Sequence, residues 1–135
     1  MKKETLLNFS LFVLRSVVGV IFFYHGAQKL FGMFDGVGLE GTVKLVEGLG
    51  LSQAYMVAVV WGGIELIAGM FLVFGIFSRY AATLLLIIVV VQFWKIDLGY
   101  GVFLQSNLLE YRAVLFGACV TIVSLGGGSW SVWDL

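Results

Sequence analysis

The chain has no proline, one cysteine, one histidine and little charge: of its 135 residues, 12% are Asp, Glu, Lys or Arg. Each shortage removes a class of function. A single thiol, Cys119, forms no internal disulfide, no CxxC redox pair and no Fe–S cage. It reads instead as a small apolar core residue. A single histidine, His25, excludes a bis-histidine haem and a histidine-rich metal site, so no metal is expected and the chain does not carry electrons alone. Soluble domains carry about 25% charged residues, and half that share cannot cover a water-facing surface. The formal net charge is zero and no basic stripe recurs, which excludes nucleic acid as a partner.

What is abundant is apolar. Hydrophobic residues make up 61% of the chain and the mean hydropathy is +1.05, so the expected surroundings are a lipid bilayer. A helix crossing the hydrocarbon needs about 20 mostly apolar residues. Two runs meet this, at 6–31 and 51–77, and two shorter ones, 80–94 and 113–125, reach a span when extended to 80–97 and 108–125. The expected fold is therefore all-α, a polytopic membrane protein with one domain over 1–135 and four transmembrane helices in an antiparallel bundle. The lack of proline suits straight, closely packed spans. A transmembrane barrel would instead show alternation in pieces of about ten residues, and none is seen.

The start, MKKETLLNFSLFVLR, resembles a secretory signal, but Arg15 interrupts its apolar run and no small-x-small site follows. It reads as an uncleaved first span. Four spans put both termini on one side. Lys2, Lys3 and Arg79 then share that side, while Lys29, Lys44 and Lys95 lie opposite. The first helix usually decides such a tie, which favours cytoplasmic termini in the inner membrane. The longest polar interval, GMFDGVGLEGTVKLVEGLG (32–50), holds an amphipathic turn or two suited to the interface. Spans two and three meet in a tight IFSRY turn, and Trp130 and Trp133 suit an aromatic belt at the headgroups.

The scarce polar groups are concentrated in FFYHGAQKLFG (22–32) and a few matching positions. At about 100° per residue, Arg15, His25 and Lys29 share one helix face, and Gln28 lies roughly 60° beyond His25. Gly19 and Gly26 on that face let a neighbouring helix approach closely. Ala58, Gly62, Glu65 and Gly69 form a second stripe, and Glu110, Ala113, Gly117, Thr121 and Ser124 a third, with Arg112 beside it. The three faces are expected to converge on one interior. A lone Glu65 inside a span costs several kcal/mol unless it is protonated or paired, and Arg15 is its expected partner. Structural readings stand beside the functional one. The Arg–Glu pair can be bundle glue, Lys29 and Arg112 can snorkel to the interface, and His25 can be a satisfied packing residue.

These residues carry a family resemblance. RSVVGVIFFYHGAQKLFG, GGIELIAGMFLVFGIFSRYAA, GVF with LEYRAVLF, and the closing GGGSWSVWD together resemble the DoxX family of small four-helix membrane proteins. The resemblance covers nearly the whole chain; its first-helix and Glu65 motifs are the specific part. It implies a quinone-linked oxidoreductase subunit, similar in some members to the small subunit of thiosulfate:quinone oxidoreductase and in others tied to oxidative-stress responses. The motif falls on Arg15, His25, Gln28, Lys29, Glu65 and Glu110. One departure counts against chemistry that needs two imidazoles: similar members commonly have a histidine where this chain has Asp97.

Three functions follow as expectations. The first is a subunit that binds quinone or a similar apolar ring, holds no covalent cofactor, and serves a redox partner protein that supplies the electrons. His25 would donate to a carbonyl, Gln28 fix it, Lys29 stabilise negative charge on the reduced oxygen, and Glu65 or Glu110 relay protons under the influence of Arg15 and Arg112. The second is a small-molecule or ion pathway, for which a homo-oligomer would supply the room that one copy lacks. The third is an assembly subunit without chemistry.

Overall fold

The computed structural model describes residues 2–94 and 106–132. Among these residues the fold is all-α: α1 (Lys3–Phe31), α2 (Gly38–Gly48), α3 (Ala54–Phe74), α4 (Ser78–Gln92) and α5 (Ser106–Leu125). α1 and α3, of 29 and 21 residues, are long and apolar enough to cross a membrane. At 1.5 Å per residue they extend about 43 and about 31 Å, against a hydrocarbon core of about 30 Å. α4 is also apolar but has 15 residues, too few to meet the same length. Lys95, Asp97 and Trp133 lie outside the described residues.

The fifth element is α2, which replaces the expected turn or two with a full 11-residue helix. Its placement has a local cause. The Thr42 hydroxyl, buried, lies 3.0 Å from the Lys29 carbonyl and 2.9 Å from the Gly38 carbonyl. It thereby occupies a last-turn carbonyl of α1 that the helix itself leaves without a partner. With Val46 also buried, α2 is held across the end of the α1–α3 pair.

Glycine sets the main helix contact. A Cβ on Gly19 would stand 2.6 Å from the Gly69 carbonyl oxygen, and one on Gly26 2.8 Å from the Gly62 carbonyl oxygen. Backbone therefore meets backbone at two levels of the antiparallel α1–α3 pair, as small residues allow in membrane helices. The pairing also fixes the register. Each step forward on α1 is a step back on α3, so Glu65 stands level with Phe23.

α4 turns back on α3 at Gly75 (φ 74°) and Phe77 (φ 48°). The Gly75 and Ile76 amides donate to the Leu72 and Phe71 carbonyls at 3.3 and 2.8 Å and so close the end of α3. α4 and α5 share an apolar seam of Leu85 and Val89 against Leu115, Cys119 and Ile122. Cys119 is fully buried there, as its sequence setting predicts.

That seam corrects one expectation. The small-residue stripe of α5 does not face the interior: Glu110, Ala113, Gly117 and Ser124 are exposed, and a Cβ on Gly117 would meet nothing within 4 Å. The bulkier apolar face gains more contact by interlocking with α4, and it turns the small residues outward.

Candidate functional site

Arg15 is the most completely buried cation among the described residues, at 1% exposure, and it does not meet Glu65. Its Nη1 donates to the Leu72 and Val73 carbonyls at 2.8 and 2.7 Å, its Nη2 to the Trp130 carbonyl at 2.6 Å, and its Nε to the Gly127 carbonyl at 3.2 Å. The planar fork thus places a cation at the C-terminal end of α3, where carbonyls lack their usual α-helical partners and the helix dipole is negative. It also ties down the closing segment 126–132. That segment gains further hold from Val132 N donating to the Phe74 carbonyl, Ser129 N donating to Asn8 Oδ1, and Trp130 set edge-on against Phe9 and Phe12. The expected Arg15–Glu65 pair is therefore replaced by a structural clamp.

The partner of Glu65 is Lys29. The ammonium stands 3.0 Å from Oε1 and 3.1 Å from Oε2, with the carboxylate side chain 1% exposed. The register explains the choice. Side chains on a helix lean toward its N-terminus. Lys29 therefore leans back to the level of Glu65, whereas Arg15, already on the other side of that level, leans away. Gln92 of α4 extends the link, its Nε2 donating to Glu65 Oε1 at 3.3 Å, and Arg112 Nη1 of α5 donates to Gln92 Oε1 at 3.0 Å. Trp61 closes one side: the Lys29 ammonium lies 4.7 Å from its ring centre, a cation–π contact. Its buried indole N–H has no described acceptor in hydrogen-bond geometry. His25 Nε2 and the Tyr111 hydroxyl are 3.0 Å apart on the facing wall.

All these groups line one cavity of about 240 Å³, bounded by α1, α3, α4, α5 and Leu45 of α2. Of the sequence-predicted candidates, His25, Lys29, Glu65 and Arg112 come together there. Gln28 does not; its amide donates to the Phe34 carbonyl in the loop after α1. Glu110 is exposed and stands outside the cavity. Trp61, Gln92 and Tyr111 are functional candidates that the pattern of charges missed. Gln92 carried the clearest signal, as an amide ending the apolar run LLLIIVVVQ. Among the described residues no group of three or more His, Cys, Asp or Glu is placed to hold a metal ion.

Chemically the cavity offers a carboxylate hydrogen-bonded to an ammonium, an imidazole–phenol pair that can give or take a proton, and apolar walls from Phe22, Leu45 and Leu115. A small helical membrane protein with a polar site sunk among apolar helices is the class that fold and site define. The chain belongs to the DoxX family, whose model matches residues 10–98. That match covers α1 from Ser10 and all of α2 to α4, so the α5 wall with Tyr111 and Arg112 lies beyond it. A curated relative, the Bacillus subtilis (strain 168) protein named "Putative oxidoreductase CatD", is 38% identical over 74 residues, 53% of this chain. The chain matches about half the length of that relative, 48%. No solved structure matches.

Proposed function

We propose that the protein is an integral membrane subunit that binds the ring head of a quinone, or a similar one-ring apolar molecule, in the cavity around Glu65, and presents it to a partner redox protein. The observation that carries this reading is the convergence of four helices' polar side chains on one small space inside an apolar body. An engineered apolar cavity of about 150 Å³ in another protein admits benzene, so about 240 Å³ is room for a substituted ring. A quinone carbonyl accepts hydrogen bonds, and the Lys29 ammonium and the His25–Tyr111 pair are donors on two walls. Reduction to the quinol takes two electrons and two protons. The electrons come from the partner, and the protons pass through His25–Tyr111 and the Lys29–Glu65 pair. The oxidoreductase name of CatD points the same way.

In this reading α1, α3, α4 and α5 cross the inner membrane as four spans, α2 lies along the interface, and both termini are cytoplasmic. The test is a titration of purified protein in nanodiscs with a chain-free benzoquinone, followed by quenching of tryptophan fluorescence, since Trp61 lines the cavity. Saturable quenching that is lost in His25→Phe and Lys29→Met, each shown to be folded, is the expected result. Equal quenching in all three proteins would dismiss the site.

A further inference from the structure

The polar cavity is the first of three spaces in series. An apolar cleft of about 320 Å³ between α2, α3 and α4 shares Trp61 and Gln92 with it as common walls. A larger apolar groove of about 730 Å³ runs between α3 and α4 and shares Val60 with the cleft. From Val60 to Phe71 this groove follows α3 for about 16 Å of helix rise. Its floor is open at Gly63, where a Cβ would meet nothing within 4 Å. Met56, Val60 and Val91 along the rim of the cleft are exposed, so the cleft opens toward the surrounding membrane. Polarity thus falls away in one direction, from the Lys29–Glu65 pair past Trp61 and Gln92 to a groove whose lining is apolar apart from Tyr80.

We infer that the α3–α4 groove seats the long apolar chain of the same ligand whose ring lies in the polar cavity, an inference that rests on the reading above. The ligand class is then a prenylated or alkylated ring dissolved in the membrane, and a water-soluble ring would leave most of the site empty. The chain leaves the head between Trp61 and Gln92, crosses Val60 and lies on Gly63. The walls shared from one space to the next, Trp61 and Gln92 and then Val60, favour this occupant over a bulk lipid or a second copy of the chain. In a bilayer the chain gains little by leaving lipid for the groove, so selectivity comes from fit against the groove walls.

The test compares two probes in nanodiscs of one lipid composition: a chain-free benzoquinone and the same ring with a ten-carbon chain. The protein is compared with Gly63→Leu, whose Cβ meets nothing within 4 Å and whose side chain would occupy the groove floor, at a helix-interior position. Partitioning of the probe into the bilayer is common to both proteins and cancels in their ratio. Gly63→Leu is expected to weaken binding of the chain-bearing probe about tenfold while leaving the chain-free probe unchanged. If both probes bind the two proteins equally, or if Gly63→Leu instead alters the oligomeric state with no loss of the chain-bearing probe, the groove is not a chain seat. Should Gly63→Leu melt early, Val60→Phe at the exposed junction gives the same comparison. Failure of the chain-free probe to bind the unaltered protein would remove the ring site itself, and the chain seat with it.

Discussion

At the scale of single residues, the buried Arg15 and the half-buried Lys29 of α1 have different work. Lys29 answers the Glu65 carboxylate, and Arg15 answers a cluster of carbonyls about four turns away on the same helix. The difference is measurable by double-mutant cycles on thermal or denaturant unfolding. Lys29→Met alone strands a carboxylate in an apolar interior and is expected to cost about 3–5 kcal/mol, with much of it recovered in Lys29→Met/Glu65→Leu. A coupling energy above about 0.5 kcal/mol is expected for Lys29 with Glu65, and one within error of zero for Arg15 with Glu65. Arg15→Lys keeps the charge and loses the fork, so it is expected to free the closing segment. Limited proteolysis should then cut residues 126–132 faster than in the unaltered protein, and an unchanged rate would contradict the clamp.

At the scale of helices, glycine decides how closely each pair can pack. Gly26→Leu puts a branched side chain where even a Cβ would stand 2.5 Å from Leu66 N. It is expected to destabilise by at least about 1–3 kcal/mol, the usual range for overpacking. Gly117→Ala, on the open face of α5, is expected to be neutral or to stabilise by up to about 1 kcal/mol through helix propensity alone. Thermal melting of both variants checks the contrast. Much of this was legible beforehand. The apolar runs located α1 and α3 within about three residues at each end, and the stripe holding Ala58, Gly62, Glu65 and Gly69 is indeed buried. Helical angles gave the faces but not the depths. Two facts bear on depth: glycine pairs spaced by seven on α1 and on α3, and the N-terminal lean of side chains. Together they favour Lys29 over Arg15 as the partner of Glu65. The orientation of α5 was not legible, because small and bulky residues alternate around it and only the shape of α4 chooses between them. Tyr111 is an ordinary residue until His25 is found opposite it.

At the scale of the whole molecule, one end of the helix assembly is clamped and the other holds the polar cavity. The Arg15 clamp, the Gly75 turn and Trp130 close the first end. The cavity around Glu65 sits toward the second, under α2, which contributes Leu45 to its wall. In the proposed reading the electrons come from a partner protein, and the placement of the cavity would put a bound ring near the α2 side. The most direct test of the account is native mass spectrometry, with lipid extraction, on protein purified gently from its own membranes. The account predicts co-purified quinone in the unaltered protein and its loss in folded His25→Ala and Glu65→Gln variants. Bulk phospholipid alone, or a bound protein partner without quinone, would contradict it and leave the Lys29–Glu65 pair as bundle glue.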